Sequence, residues 1–160
     1  MQEKKEILLT KEGYERKKKQ LEELEWRLYQ YIPERLKEAK ERGGDLMENK
    51  EYVYLKNEQE LIEREVRRLR ELLENARIIS EDEISADKVG IGTRVILEDV
   101  ETGEFDTYTL VSPAEVDLLD NRIGIDSPVG AALMGHKKGD EIQVQAPIGR
   151  RRFRILGIER

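Results

Sequence analysis

The sequence predicts an α+β chain: an N-terminal antiparallel coiled-coil hairpin over residues 1–79, a linker over 80–89, and a small antiparallel sheet domain with one short helix over 90–160. Three observations predict it. Only Gly13, Gly43 and Gly44 precede residue 90, whereas nine of the 12 glycines follow it. Residues 1–80 carry 19 basic and 19 acidic side chains, while residues 81–160 carry 10 and 16, which is the whole net charge of −6. Apolar residues step by three and four up to Ala76 and alternate by two after Arg94, the periods of helix and strand.

Each element follows in order. Thr10 caps a first helix whose apolar positions are Tyr14, Leu21, Leu24, Leu28, Tyr31, Ile32, Leu36 and Ala39. Pro33 lies inside that run and should kink it, because proline lacks an N–H and crowds the preceding turn. Gly43-Gly44 ends the helix. In the second helix Tyr52, Leu55, Gln59, Ile62, Val66, Leu69, Leu73 and Ala76 alternate steps of three and four, and so narrow a seam buries only against another helix. The short turn at 41–45 makes helix one that partner, folded back antiparallel. About 32 residues per arm gives a rod roughly 45–50 Å long. Folding about Gly43-Gly44 sets Glu22, Glu23 and Glu25 opposite Arg64, Arg67 and Arg68, so the charge runs read first as flanking ion pairs worth a few tenths of a kcal/mol each.

In the second half, strands over 93–100 and 105–111 flank a turn at Glu101-Thr102-Gly103. A short strand over 122–125 follows. Ser127 and Pro128 are an N-cap and an N1 proline opening a helix over 129–134, which Gly135 stops. Strands over 141–145 and 152–158 close the sheet around Pro147-Ile148-Gly149.

Composition excludes several classes of function. No cysteine excludes a disulfide scaffold and a Cys-based zinc site and fits a reducing cytosol. A single histidine, His136 on a Lys-Lys-Gly turn, leaves no His-rich metal site; it and the single tryptophan, Trp26, read as structural or surface residues. The opening residues lack the apolar stretch of a signal peptide and no run approaches a membrane span, so the expectation is a soluble cytoplasmic protein with no membrane partner. The acidic second half argues against tight independent DNA binding.

Chemistry concentrates at the hairpin turn, Arg42-Gly43-Gly44-Asp45-Leu46-Met47-Glu48-Asn49. Asp45 and Glu48 are three apart at the start of helix two and project from one face. By spacing they form a capping box, Asp45 accepting from the Glu48 amide, at the positive end of the helix dipole. The same exposed oxygens suit Mg²⁺, which binds through one or two carboxylates and keeps other positions for water or phosphate. Two carboxylates are half a site, so a metal there needs a second macromolecule. Tyr52 is a seam residue by periodicity, and Asn49 extends the cap. Arg42 and Lys56 read equally as solvated side chains and as phosphate contacts.

The stretch Gly44-Asp45-Leu46-Met47-Glu48-Asn49-Lys50-Glu51-Tyr52 resembles the G-D-L-S-E-N-A-E-Y signature of the bacterial transcript-cleavage factors GreA and GreB, with Met47 where the family has a small or polar residue. Leu9-Thr10-Lys11-Glu12-Gly13-Tyr14 is similar to the family's opening. The run Ser127-Pro128-Val129-Gly130-Ala131-Ala132-Leu133-Met134-Gly135, followed by Lys138-Gly139-Asp140, resembles its C-terminal pattern. The resemblance spans nearly the whole chain and leans towards GreA. It implies an FKBP-like C-terminal domain that docks on bacterial RNA polymerase at the secondary channel; the loop at Ser127, Pro128 and Val129, read first as a helix start, is the expected docking edge. It implies a tip whose Asp45 and Glu48 share Mg²⁺ with the polymerase, so that backtracked RNA is cut near its 3′ end while the isolated chain binds no metal and is no enzyme. Nascent RNA would meet Lys40, Arg42, Tyr52 and Lys56. The family's A-R-x-x-G-D is one residue longer here; Lys40 takes the Arg position if the turn is a residue longer, and Glu41 if it is not.

Three rivals stand beside this reading. A channel-binding regulator of the same shape would modulate polymerase without cleavage, but such relatives alter the tip acids. A prolyl isomerase needs an aromatic pocket, and the C-terminal domain offers only Phe105, Tyr108 and Phe153. A plain coiled-coil adaptor would not depend on the tip carboxylates. No small-molecule substrate is expected.

Overall fold

A computed structural model describes residues 7–45, 48–147 and 149–160. Leu46 and Met47 of the tip motif, Ile148 of the last turn and the opening six residues lie outside the described residues. The chain forms two compact units: Tyr14–Ala76 in one, and Arg77–Arg160 with the described part of Lys5–Gly13 in the other.

The first unit is the helical hairpin. It comprises α1 (Lys11–Trp26), a π-helical turn at Arg27–Tyr31, α2 (Ile32–Glu41) and α3 (Lys50–Glu74). Leu28, Ile32 and Leu36 pack against Leu55, Ile62 and Val66 along an antiparallel seam. The π turn has a cause in the spacing. Leu24, Leu28, Ile32 and Leu36 are three successive steps of four, one residue more than the seam's average allows, and a π turn absorbs one extra residue. The Ile32 N–H donates to the Arg27 carbonyl, five residues back, and Pro33 has no N–H to extend the regular ladder. The disturbance expected at Pro33 therefore sits in the turn just before it.

Three expectations for this unit change. Helix α3 starts at Lys50 and ends at Glu74, so Ala76 leaves the helix for a strand. Leu72 is buried rather than Leu73. Flanking ion pairs among the described residues include Arg27 with Glu58 and Arg70 with Glu25 (3.5 Å), while Arg68 turns to Glu65 on its own helix. A long arginine stem reaches a full turn along a neighbouring helix, so residues level in a folded-over sequence need not be partners.

The second unit is built on a five-stranded sheet. Its strands are β3 (Arg94–Asp99), β4 (Phe105–Val111), β5 (Arg122–Gly124), β6 (Glu141–Ala146) and β7 (Gly149–Glu159), in the order β5-β4-β3-β7-β6. Antiparallel pairing holds except at one edge, where β4 and β5 run parallel through Thr109↔Arg122, Leu110↔Ile123 and Val111↔Gly124. The sheet is therefore mixed, not antiparallel. Residues 112–121 make the crossover through two 3-10 turns, which delivers β5 in the same direction as β4. Val95, Leu97, Leu110, Phe153 and Ile155 fill one face, closed by Leu133 of helix α4 (Pro128–Leu133). Val89, assigned to the linker by sequence, is buried in this core.

Residues 7–13 join the second unit for two reasons. Strand β1 (Ile7–Leu9) pairs with β2 (Ala76–Ile78), a two-stranded sheet the sequence pattern did not reveal. The carboxylate of buried Glu115 also accepts from the Thr10 N–H (2.9 Å) and the Thr10 hydroxyl (2.7 Å), while the same hydroxyl caps α1 by accepting from the Gly13 N–H (3.0 Å). Buried Arg122 stands 3.7 Å from Glu115 and donates to Glu12 and Asp120 at 3.0 Å each.

Candidate functional site at the hairpin turn

Helix α2 ends at Glu41, and Gly43 and Gly44 follow with φ of 75° and 91°. Two successive left-handed residues are costly for any side chain but glycine's, so the pair sets the reversal. The Gly43 N–H donates to the Lys40 carbonyl, closing the end of α2 (3.2 Å).

The capping box expected at Asp45 and Glu48 is not the helix start. The N-cap of α3 is Asn49, whose Oδ1 accepts from the Tyr52 N–H (3.1 Å) and whose Nδ2 donates across the hairpin to the Ala39 carbonyl (3.3 Å). Asn and Asp cap equally well, and the glycine pair lengthens the turn enough for the cap to fall four residues later. Asp45 instead closes that turn with its backbone, its carbonyl accepting from the Glu48 and Asn49 N–H groups at 3.1 Å each. Both acidic residues are exposed, and both precede α3.

The basic residues divide. Lys40 on α2 and Lys56 on α3 each place an ammonium 5.9 Å from the centre of the Tyr52 ring, so the structure gathers Lys40, Tyr52 and Lys56. Arg42 is drawn elsewhere, into an ion pair with Glu51 (2.5 Å). Tyr52 also packs on the hairpin core, so its ring serves the seam and the cation pair together. Among the described residues no group of three or more His, Asp or Glu side chains could hold a metal ion.

Ser127, Pro128 and Val129 lie on the other unit. The Ser127 hydroxyl accepts from the Gly130 N–H (3.1 Å) and donates to the Gly124 carbonyl (2.6 Å), the N-cap expected of it. Pro128 is exposed, while Val129 packs on the core. Trp26 is 57% exposed and lies beside Tyr31. His136 Nδ1 is 3.1 Å from Asp140, whose carboxyl is held below the usual range first by the Lys137 N–H and then by His136. Sequence reading missed Glu115 and Arg122: their partners are separated by up to 110 residues, and only Thr10 and Gly13 hinted at them.

Residues 7–78 match the family described as transcription elongation factor, N-terminal, and residues 84–160 match transcription elongation factor, GreA/GreB, C-term. The chain belongs to the GreA/GreB family of transcription elongation factors. It is 40% identical over 154 residues to transcription elongation factor GreA of Thermotoga petrophila, covering 96% of this chain and 97% of that one. The same factor of Thermosipho melanesiensis is 42% identical over 157 residues, 98% and 99% of the two chains. Among solved structures, GreA factor homolog 1 of Thermus thermophilus is 37% identical over 98% of this chain and 100% of its own, with a TM-score of 0.45. Among the described residues no helix is long and apolar enough to cross a membrane.

Proposed function

We propose that this GreA/GreB-family factor binds bacterial RNA polymerase through its C-terminal unit, presents the hairpin turn to the polymerase active centre, and stimulates cleavage of backtracked nascent RNA. The observation that carries the reading is the identity of the helix cap. Because Asn49 caps α3, Asp45 and Glu48 stand on an exposed turn ahead of the helix instead of serving as its cap. Two carboxylates so placed fit a Mg²⁺ ion whose remaining ligands another macromolecule supplies. Bound there, the ion would supply the charge that favours attack of water on a phosphodiester.

The chain's own residues have separable tasks. Asp45 and Glu48 provide the oxygens. Asn49 ties the turn to α2 and fixes the start of α3. Lys40 and Lys56, gathered on Tyr52, offer positive charge to the phosphates near an RNA 3′ end. The isolated chain holds half a site and is not itself a nuclease on this reading; the factor acts in the cytoplasm, where its polymerase is.

The test uses stalled, backtracked complexes with Mg²⁺. The full chain should release short 3′ RNA fragments. Asp45→Asn with Glu48→Gln should lower that rate about 100-fold or more, the scale of losing several kcal/mol of charge stabilisation, with polymerase affinity kept. Unchanged cleavage by the double variant would falsify the tip assignment. Polymerase binding without cleavage by the wild-type chain would favour the modulating regulator instead.

A further inference from the structure

We propose that Asn49 is a positioning residue for the two tip carboxylates: its side-chain bond across the hairpin, separable from its cap of α3, sets how readily Asp45 and Glu48 take up Mg²⁺. The inference rests on the cleavage reading above and adds to it a residue that acts through its neighbours. Asn49 uses the two ends of its amide in different directions. Oδ1 accepts from the Tyr52 N–H in the first turn of its own helix (3.1 Å), whereas Nδ2 donates to the Ala39 carbonyl on the other arm (3.3 Å).

The acceptor explains why the second bond holds. Ala39 is wholly buried and stands in the last turn of α2, where carbonyls have run out of helical N–H partners. The neighbouring Lys40 carbonyl meets the Gly43 N–H, and that of Ala39 meets the Asn49 side chain. A buried carbonyl left unpaired is costly, so this amide has a defined place. From there the chain returns to the acids by short steps. The Asn49 N–H donates to the Asp45 carbonyl, as does the Glu48 N–H, at 3.1 Å each. Asn49 therefore joins Asp45 to α2 through two bonds, one from its main chain and one from its side chain. Packing adds little at the glycine end of the turn, since a Cβ on Gly43 or Gly44 would meet no described atom within 4 Å.

Mg²⁺ makes such a tie consequential. The ion demands near-ideal octahedral geometry, so two carboxylates that drift relative to each other bind it more weakly than two held in place. Ordering them beforehand lowers what binding must supply. The cap alone does not order them. A bond to the Tyr52 N–H fixes where α3 begins, on the far side of both acids, and leaves open where that start lies relative to α2. The bond to Ala39 settles it, so the group required is the asparagine amide and not merely a capping oxygen. Serine separates the two roles: it caps a helix as well as asparagine does, but its single hydroxyl ends one bond short of where Nδ2 stands.

The experiment compares the full chain with Asn49→Ser and Asn49→Ala in two measurements. Backbone amide order parameters at Asp45 and Glu48 are read by NMR in the free chain. RNA cleavage in backtracked polymerase complexes, with the factor saturating, is followed against Mg²⁺ concentration. Asn49→Ser should keep the Tyr52 amide protected from exchange while the order parameters at Asp45 and Glu48 fall towards the flexible range below about 0.6. Its half-maximal Mg²⁺ concentration should rise about tenfold, the lower end of what losing a ligand-orienting partner does, with the rate recovered as Mg²⁺ is raised. Asn49→Ala, which loses tie and cap together, should show the same rise with faster Tyr52 exchange. An unchanged Mg²⁺ requirement or unchanged order parameters in Asn49→Ser overturns the inference and leaves the cleavage reading intact. A rise in Asn49→Ala alone assigns the effect to the cap and overturns it too. Absence of stimulated cleavage by the wild-type chain removes the underlying reading, and the inference with it.

Discussion

Gly13 sits in the first turns of α1, where alanine ordinarily stabilises a helix by about 1 kcal/mol over glycine. The structure predicts the opposite sign. A Cβ on Gly13 would fall 1.4 Å from Glu115 Oε1 and 2.2 Å from its carboxyl carbon. The Glu115 side chain is 2% exposed, so it has no solvent route and must abandon its place. It would lose its hydrogen bonds from the Thr10 N–H and hydroxyl, each worth about 1.5–3 kcal/mol for an ionised acceptor. Set against the helix gain, Gly13→Ala should destabilise by about 2–5 kcal/mol. For a chain of this size that lowers Tm by roughly 5–15 °C in a circular-dichroism melt at neutral pH. A double-mutant cycle isolates the cause. With Glu115→Ala already present the obstruction is gone, and Gly13→Ala should then raise stability by about 1 kcal/mol, as propensity alone dictates. Stabilisation by Gly13→Ala in the otherwise wild-type chain would refute the reasoning.

Two further outcomes follow from the hydrogen bonding. Asn49→Ala removes the α3 cap and the tie to Ala39, costing about 1–2 kcal/mol, and the Tyr52 amide should exchange with solvent markedly faster; unchanged exchange would show that Asn49 does not cap. Asp99 has its carboxyl held below the usual range by Arg151 first and then by the Glu101 and Thr102 N–H groups. A depressed folded-state pKa contributes stability that is complete above the unfolded value of about 3.9 and is lost as pH falls through the folded value. The stability deficit of Asp99→Asn in urea titrations should therefore be present at neutral pH and shrink under acid, and a deficit constant with pH contradicts it.

The parts of the fold legible in the sequence are those set by neighbours within about a dozen residues. The seam of α3 follows from its own periodicity, and the Ser127–Pro128 helix start is written in adjacent residues. A disturbance near Pro33 was also legible, but not its form, a π turn at Arg27–Tyr31. What was not legible depends on distant partners or on loop path. The direction of β5 is decided by how residues 112–121 cross over, and three residues of strand carry no mark of orientation. Glu115 reads as one more acid in an acidic half, although it is buried beneath a threonine 105 residues away.

The tip shows why a correct motif can be given an incorrect local structure. Asp45 and Glu48 have capping-box spacing, but Asn49 four residues on is an equally good N-cap residue, and residue type at the cap alone cannot choose between them. The choice is made across the hairpin: only at Asn49 does the same side chain also reach the Ala39 carbonyl, which binds the start of α3 to the end of α2. Once that bond selects the cap, the two acids fall on the turn without any need for strain to hold them there. The same holds at the other unit, where the Ser127 hydroxyl bonds within the fold. In both places one residue of the matched motif is taken up by the fold itself, Asn49 as the cap of α3 and Ser127 as the cap of α4.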